Sequence, residues 1–449
     1  MKKIFQYIML AVVTIVMASC TSDIEETTAT TGKSNVQLVV GEFPAFGDSQ
    51  TRTIGTPDPG KTSWAEGDEL LLEIDNTSYG RHNATFTYNG KSWELTSGEL
   101  VFLEGDPAYI SHVYYAPNYK WSNTSLMLKK GKVAGTDELI EGKARITGNG
   151  ETITVSFAEA TRKYSRLRIA TLPNEQITVD TEYFTPAGSS DMEQNGNYTL
   201  TSDENGNAYL YGTFENNSEV TVKYREAALT TYTFSQATES AKSYALDATV
   251  ISANSAEEIK SAIEQKVADG KTTIRLNLAP NAGTNEFMAI REAIKGAAPN
   301  DLGTIELTII GVETIPEEAF YKMLQLKSVR MSDVKEIKKY AFKECQYLTV
   351  VEAPSLNKLY SGAFKKCDQL SKLTFGPINY ADARNWPIFE YITPNIDLIL
   401  SDYQKEMIET DSYLYTANND RDYAGSDEHN SKNFLGREFK SITCRYPVE

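Results

Sequence analysis

Cys345 and Cys367 stand 22 residues apart in an apolar stretch, and such a pair of thiols could form a disulfide or part of a metal site. No histidine lies near them, and two thiols fall short of the four ligands a structural zinc takes. Both read instead as small, soft core residues. Histidine occurs only as His82, His112 and His429, which leaves little material for acid–base or metal chemistry. Asp420, Asp422 and Gly425 have the spacing of a calcium loop, but Ala424 offers no side-chain ligand between them. Ser431 also stands where the bidentate glutamate belongs. Polar Asp411–Asn433 therefore reads as a solvated loop, with Cys444 packing beneath it. The chain contains no G-x-S-x-G elbow, Walker A motif, dinucleotide fingerprint, H-E-x-x-H or C-x-x-C. Carboxylates are plentiful, yet nothing gathers a pair of them in an identifiable pocket. A non-enzyme is expected, with no metal and no cofactor.

The two cysteines belong to a stretch, Thr314–Phe375, that is written three times. Ile315, Ile337 and Leu359 begin each unit, and Ala319-Phe320, Ala341-Phe342 and Ala363-Phe364 follow. Met323, Cys345 and Cys367 come next, then Leu326, Leu348 and Leu370, then Val329, Val351 and Leu373. Every series steps by 22 residues without slippage, and a period of that size marks a solenoid. Unrelated amphipathic helices would not reproduce it. Val329-x-Met331, Val351-x-Ala353 and Leu373-x-Phe375 alternate as short strands with one face to a core. The Ala-Phe segment has spacing closer to a helical turn.

The pattern resembles the BspA-type leucine-rich repeat, I-x-x-x-A-F-x-x-C-x-x-L-x-x-V. That resemblance implies a stacked ribbon with parallel strands on one face and a role in adhesion.

At 449 residues the chain should hold two or three domains. The formal net charge is −17 and no basic stripe is visible, which argues against nucleic acid and against anionic lipid headgroups as partners. Lys2 and Lys3 precede the apolar run Ile4–Met17, then Ala18-Ser19-Cys20, so residues 1–19 read as a secretory signal. Met17-Ala18-Ser19-Cys20 resembles a bacterial lipobox, implying a lipid-modified Cys20 as the only link to a membrane. Residues 20–34 form an acidic tether, with Asp23, Glu25 and Glu26 resembling an export signal to the Gram-negative outer surface.

Asn35–Val250 is a series of short β-like runs, from Val36–Val40 to Tyr244–Thr249, separated by Gly, Asn and Asp clusters. Antiparallel sandwiches, at 35–170 and 171–250, are expected. Thr51-Arg52-Thr53, Trp64-x-x-Gly67-Asp68-Glu69, Tyr88-x-x-x-x-Trp93, the segment Phe157–Ile169 and Ala241–Leu246 resemble fimbrillin-like domains. Ala160 departs from the family, where a histidine is usual. The resemblance implies transthyretin-like folds and fimbrial subunits as partners.

In the last domain, 251–449, Ser255-x-x-Glu258 is a capping box that opens a helix, and Gly270 closes it. A strand follows, then a second helix over Phe287–Lys295 and the strand Ile305–Ile309. Leu307 lies 22 residues before Val329, so these units should cap the solenoid in register. Ile396 resumes the ladder 23 residues after Leu373, and Phe439–Ile442 closes the sheet. The expected fold is mostly β: two transthyretin-like β-sandwiches followed by a short α/β leucine-rich repeat solenoid. Arg275, Glu306, Thr308, Arg330, Glu352, Thr374 and Asp397 alternate with core residues and should project to solvent as a binding face. Its ligand would be a host, matrix or bacterial protein or glycan. The alternative is a pilus anchor, stalk or tip accessory that assembles by strand exchange.

Overall fold

A computed structural model of the chain describes residues 26–28, 36–48, 60–76, 80–100, 108–123, 125–147, 152–157, 162–225, 227–381, 388–390, 392, 395–402, 433–435 and 437–446. The signal segment, Cys20, most of the tether, Thr51-Arg52-Thr53, Ala160 and the Asp420–Ser431 loop lie outside them. Strands dominate the described residues, with two helices among them. None of the described helices is long and apolar enough to cross a membrane. The chain divides into two compact units, one of residues 1–221 and 231–247, the other of residues 222–230 and 248–449.

The first unit is built on two sheets. In one, the order is Glu26–Thr28, Gln37–Val40, Thr152–Ser156, Ile140–Thr147, Ala108–Tyr115, Glu69–Asn76, Gly80–Tyr88 and Trp93–Gly98. Alternate residues such as Leu38, Leu70, Leu72, Phe86, Val113 and Ile153 converge on one core, as period-two strands must when one face is dry. The Trp64 ring sits 5.2 Å from Trp93, and its Nε1 donates to Gly41 O at 2.9 Å. Asp68 accepts from Lys61 at 2.5 Å, and Gly67 N donates to Tyr88 O. The residues singled out around Trp64 and Trp93 therefore do assemble in space.

The second sheet contains Ser165–Ala170, Gln176–Pro186, Glu193–Thr201, Asn207–Phe214, Lys242–Asp247 and, at one edge, Gly47–Asp48. Two expectations change here. Ser165–Ala170 pairs with Asn207–Phe214, so the second sheet begins before residue 171, and Gly47–Asp48 joins it from far upstream. Pairing is also mixed rather than purely antiparallel, because Ser165–Ala170 runs parallel to Lys242–Asp247 and Thr152–Ser156 parallel to Gln37–Val40. Arg162 is fully buried beside Glu138, its Nη2 2.8 Å from the carboxylate. Nη1 donates to Pro44 O, and the guanidinium lies 3.9 Å from the Phe46 ring centroid. That buried pair ties the Pro44–Phe46 backbone to the protein interior.

The second unit opens with helix α1 (Ala256–Ala268), where Ser255 Oγ accepts from Glu258 N at 3.2 Å. The Glu258 carboxylate reaches back to Asn254 N, one residue beyond the usual box. Helix α2 (Thr284–Ala297) buries Phe287, Ile290, Ala293 and Ile294. Before, between and after the helices run parallel strands in the order Ile251–Ala253, Thr273–Leu278, Ile305–Ile310, Leu326–Met331, Val350–Ala353, Lys372–Phe375, Asp397–Ser401 and Ser441–Tyr446. Leu307 pairs with Val329, the 22-residue register read from the sequence. Leu373, by contrast, pairs with Leu398 and not Ile396, because the longer connection after Phe375 adds residues to that rung.

Candidate binding face of the stacked strands

Each rung is fixed to the next by three sets of backbone hydrogen bonds. The long parallel sheet is the first. A narrow sheet of Thr314–Ile315, Glu336–Ile337, Lys358–Leu359 and Tyr380–Ala381 is the second. The third lies in the Ala-Phe segments, where Phe320 N donates to Ala341 O and Phe342 N to Ala363 O, both at 2.8 Å. These segments are turns rather than the helical turns expected. Glu318, Tyr340 and Gly362 have positive φ, and so do Lys322, Glu344 and Lys366. A right-handed helix cannot contain such residues, so the backbone turns outward and bonds to its neighbouring rung instead. Between the ladders, phenylalanine rings run through the unit as Phe287, Phe320, Phe342, Phe364, Phe389 and Phe439, with successive centroids 5.0 to 5.7 Å apart.

Cys345 and Cys367 are fully buried in this column. Cys345 Sγ donates to Phe320 O at 3.0 Å and Cys367 Sγ to Phe342 O at 3.1 Å, so each thiol ties its rung to the one before. Burial pushes the Cys345 thiol up to about 12 and raises that of Cys367 as well. Both are free thiols with a packing role, and no cluster able to hold a metal occurs among the described residues. Cys444 lies on the last strand opposite Leu400 and packs against the same core.

The outward residues form two adjacent columns. Arg275, Thr308, Arg330, Glu352 and Thr374 follow one another in register, and the next rung supplies Ile399. Glu306 and Asp397 stand in the neighbouring column with Ser328, Val350 and Lys372. All seven expected face residues thus share one side of the sheet, but three are not solvent-exposed. Arg275, Thr308 and Thr374 are buried, and Arg275 Nε donates to Leu229 O at 2.5 Å. Alternation fixes the side from which a residue leaves a strand, not whether another segment lies over that side.

The open part of the face carries Arg330, Glu352, Glu306, Lys327, Lys372 and Asp397. Opposite charges sit on consecutive rungs there. Arg330 Nε meets Glu352 at 2.9 Å, Lys327 meets Glu306 at 2.8 Å, and Lys372 reaches Glu352 at 3.8 Å. Asp397 accepts from Ser441 at 2.6 Å and Lys440 at 3.0 Å, contacts that hold its carboxyl below the usual range. On the narrow sheet Glu336 is gripped by Lys338 at 2.5 Å and Lys358 at 2.6 Å, which lowers its pKa too. The sequence reading named the acids and arginines but missed Lys327, Lys372 and Lys358. Lys358 stands 22 residues after Glu336, which was an available signal, whereas Lys327 and Lys372 meet Glu306 and Glu352 across rungs at other spacings. Between Thr314 and Phe375 basic residues outnumber acidic ones, although the whole chain carries −17.

Residues 302–410 match the family described as BspA type leucine rich repeat region, in six copies. The second unit contains a BspA-type leucine-rich repeat. The family match begins before the three units visible by period and ends after them, so the leucine-rich repeat takes in the Ile305–Ile310 strand and the Asp397–Ser401 rung. No curated protein matches the chain, and no solved structure does.

Proposed function

We propose that this chain is a surface-displayed binding protein whose leucine-rich repeat holds a protein partner against the open part of its outward columns. The observation that carries the reading is the pair of columns themselves. Arg330, Glu352, Glu306, Lys327 and Lys372 stand on a backbone fixed in three directions, so a partner meets side chains whose positions cost little entropy to order. The open face balances Arg330, Lys327 and Lys372 against Glu306, Glu352 and Asp397, which favours a partner surface of interleaved charge. Acylation at Cys20 would tether the chain to the Gram-negative outer membrane, and radiolabelled palmitate lost from Cys20→Ser tests that step. For the face, charge reversal at Arg330 and Glu352 should abolish capture of matrix or cell-surface protein by the intact chain. Adhesion unchanged in the double variant would exclude this face.

A second reading, assembly with fimbrial subunits, is favoured by one detail. Glu26–Thr28 forms the outer edge of the first sheet next to Gln37–Val40, and losing it would expose a pairing edge to a neighbour's strand. A ladder of assemblies on unboiled gels after removal of the leading residues supports this reading, and a monomer throughout rejects it.

A further inference from the structure

The first unit holds a cleft of about 320 Å³, wholly separate in residues from the repeat face. Tyr114 and Glu141 are cross-strand partners on Ala108–Tyr115 and Ile140–Thr147, so their side chains leave the same side of the sheet together. Tyr115 is buried in the core on the opposite side, which turns Tyr114 toward the cleft. The far wall comes from Thr185 and Thr213 of the second sheet and from Ser189 in the turn after Pro186. Two further tyrosines are already fixed: Tyr119 Oη donates to Ala187 O at 3.0 Å, and Tyr164 Oη accepts from Leu139 N at 2.8 Å. Gly188 keeps this arrangement open, since its φ is +89° and a Cβ there would lie 2.0 Å from Tyr119 Oη.

Glu141 is held between Lys163 Nζ at 2.9 Å and His112 Nδ1 at 3.3 Å. The Lys163 hydrogen bond keeps its carboxyl below the usual range, so it is an ionised acceptor at neutral pH. A ligand in the cleft therefore meets an aromatic ring, a carboxylate and an ammonium side by side, and hydroxyls opposite. A purely apolar ligand would strip water from these polar groups without replacing its hydrogen bonds. A ligand of either charge sign would meet its own sign as well as the opposite one. A pyranose has an apolar C–H face and a rim of hydroxyls that both donate and accept. The volume lies at the lower end of the roughly 300–1,000 Å³ of small-molecule sites, suited to a single ring.

We propose that this cleft binds a neutral hexopyranose unit of a glycan, with its C–H face on Tyr114 and neighbouring hydroxyls shared between Glu141 and Lys163. Glucose, galactose, mannose and N-acetylglucosamine, each titrated into the intact chain, provide the test. Trp121 lies 6.1 Å from Tyr114, so intrinsic fluorescence reports occupancy alongside calorimetry. At least one sugar should bind saturably. Tyr114→Ala and Glu141→Gln should each weaken it about tenfold or more, a loss of about 1.4 kcal/mol. Tyr114→Phe, which keeps the ring, should bind as the parent does and shows that the strand pair is intact. Arg330→Glu on the repeat should have no effect, which separates this site from the face proposed above. Failure of all four sugars to bind the folded chain overturns the assignment, as does binding undiminished in Tyr114→Ala and Glu141→Gln.

Discussion

The rings of Phe342 and Phe364 stack with centroids 5.3 Å apart and planes 8° from parallel, each fully buried and each at the same place in its 22-residue unit. Phe342 also meets Phe320 at 5.0 Å, so it is packed on both sides. Phe342→Ala should cost about 3–5 kcal/mol, the range for a large aromatic deleted from a core that cannot collapse. In a solenoid the loss is carried to both neighbouring interfaces. Urea unfolding of the variant should show an earlier transition for the second unit, and hydrogen exchange should rise on the strands at Val329 and Leu373.

The Cys345 thiol is held neutral by burial, and its ordinary value near 9.0 rises to about 12. A group whose folded pKa is raised stabilises the fold fully below its unfolded pKa and loses that contribution as pH climbs toward the folded value. Stability should therefore fall progressively above about pH 9, and Cys345→Ala should flatten that fall. Maleimide labelling followed by mass spectrometry should find Cys345 and Cys367 unreacted in the native chain at neutral pH, and reactive once it is unfolded.

Arg330 is exposed and Glu352 partly exposed, so their ion pair should matter little to folding. Arg330→Glu should change stability by less than about 1 kcal/mol, and the exchange Arg330→Glu with Glu352→Arg should recover part of the loss, since Lys372 then faces an arginine. A melting point nearly equal to that of the parent would allow the adhesion assay to be read as a change of surface and not of fold.

The Arg162–Glu138 pair is the opposite case. Glu138→Ala leaves a guanidinium buried without its carboxylate and should cost about 3–5 kcal/mol. Replacing both, as Arg162→Met with Glu138→Leu, should recover much of that loss, although the hydrogen bond from Arg162 to Pro44 O goes with it. Thermal unfolding of the two variants side by side checks the order.

Gly362 has φ +64°, and a Cβ there would lie 2.3 Å from Cε1 of the Tyr340 ring one rung away. Gly362→Ala must strain the backbone and push that ring aside, at a cost of about 1–2 kcal/mol. Altered emission from tyrosine together with a lowered unfolding midpoint would mark both effects.

The repeat was legible because period, core residue and register are one signal: the spacing that aligns Leu307 with Val329 also aligns their backbones. The capping serine of α1 was legible for a local reason, since Ser255 bonds only three residues ahead. The Asn207–Phe214 strand was less legible, since Gly212 stands inside it and glycine weakens a strand pattern. The ring of Phe184 fills the space a Cβ would need at Gly212, a contact made across the sheet and invisible along the chain. The same limit explains the face. Glu352 and Thr374 are adjacent in one outward column, but only the three-dimensional arrangement leaves the first in reach of solvent and buries the second. The cleft at Tyr114 and Glu141 joins residues 27 apart in sequence, with a wall from beyond residue 184, and no local pattern announces it.

Rungs that hold their neighbours by the same bonds on three sides are interchangeable parts. Cutting one module of 22 residues from the middle would join like to like, with the aromatic column and both end caps still matched. The length of the surface presented is therefore set by how many copies the gene carries, and recombination between similar stretches of coding sequence could adjust it while keeping the backbone ladders and the aromatic column, changing only the charges that meet across the new joint.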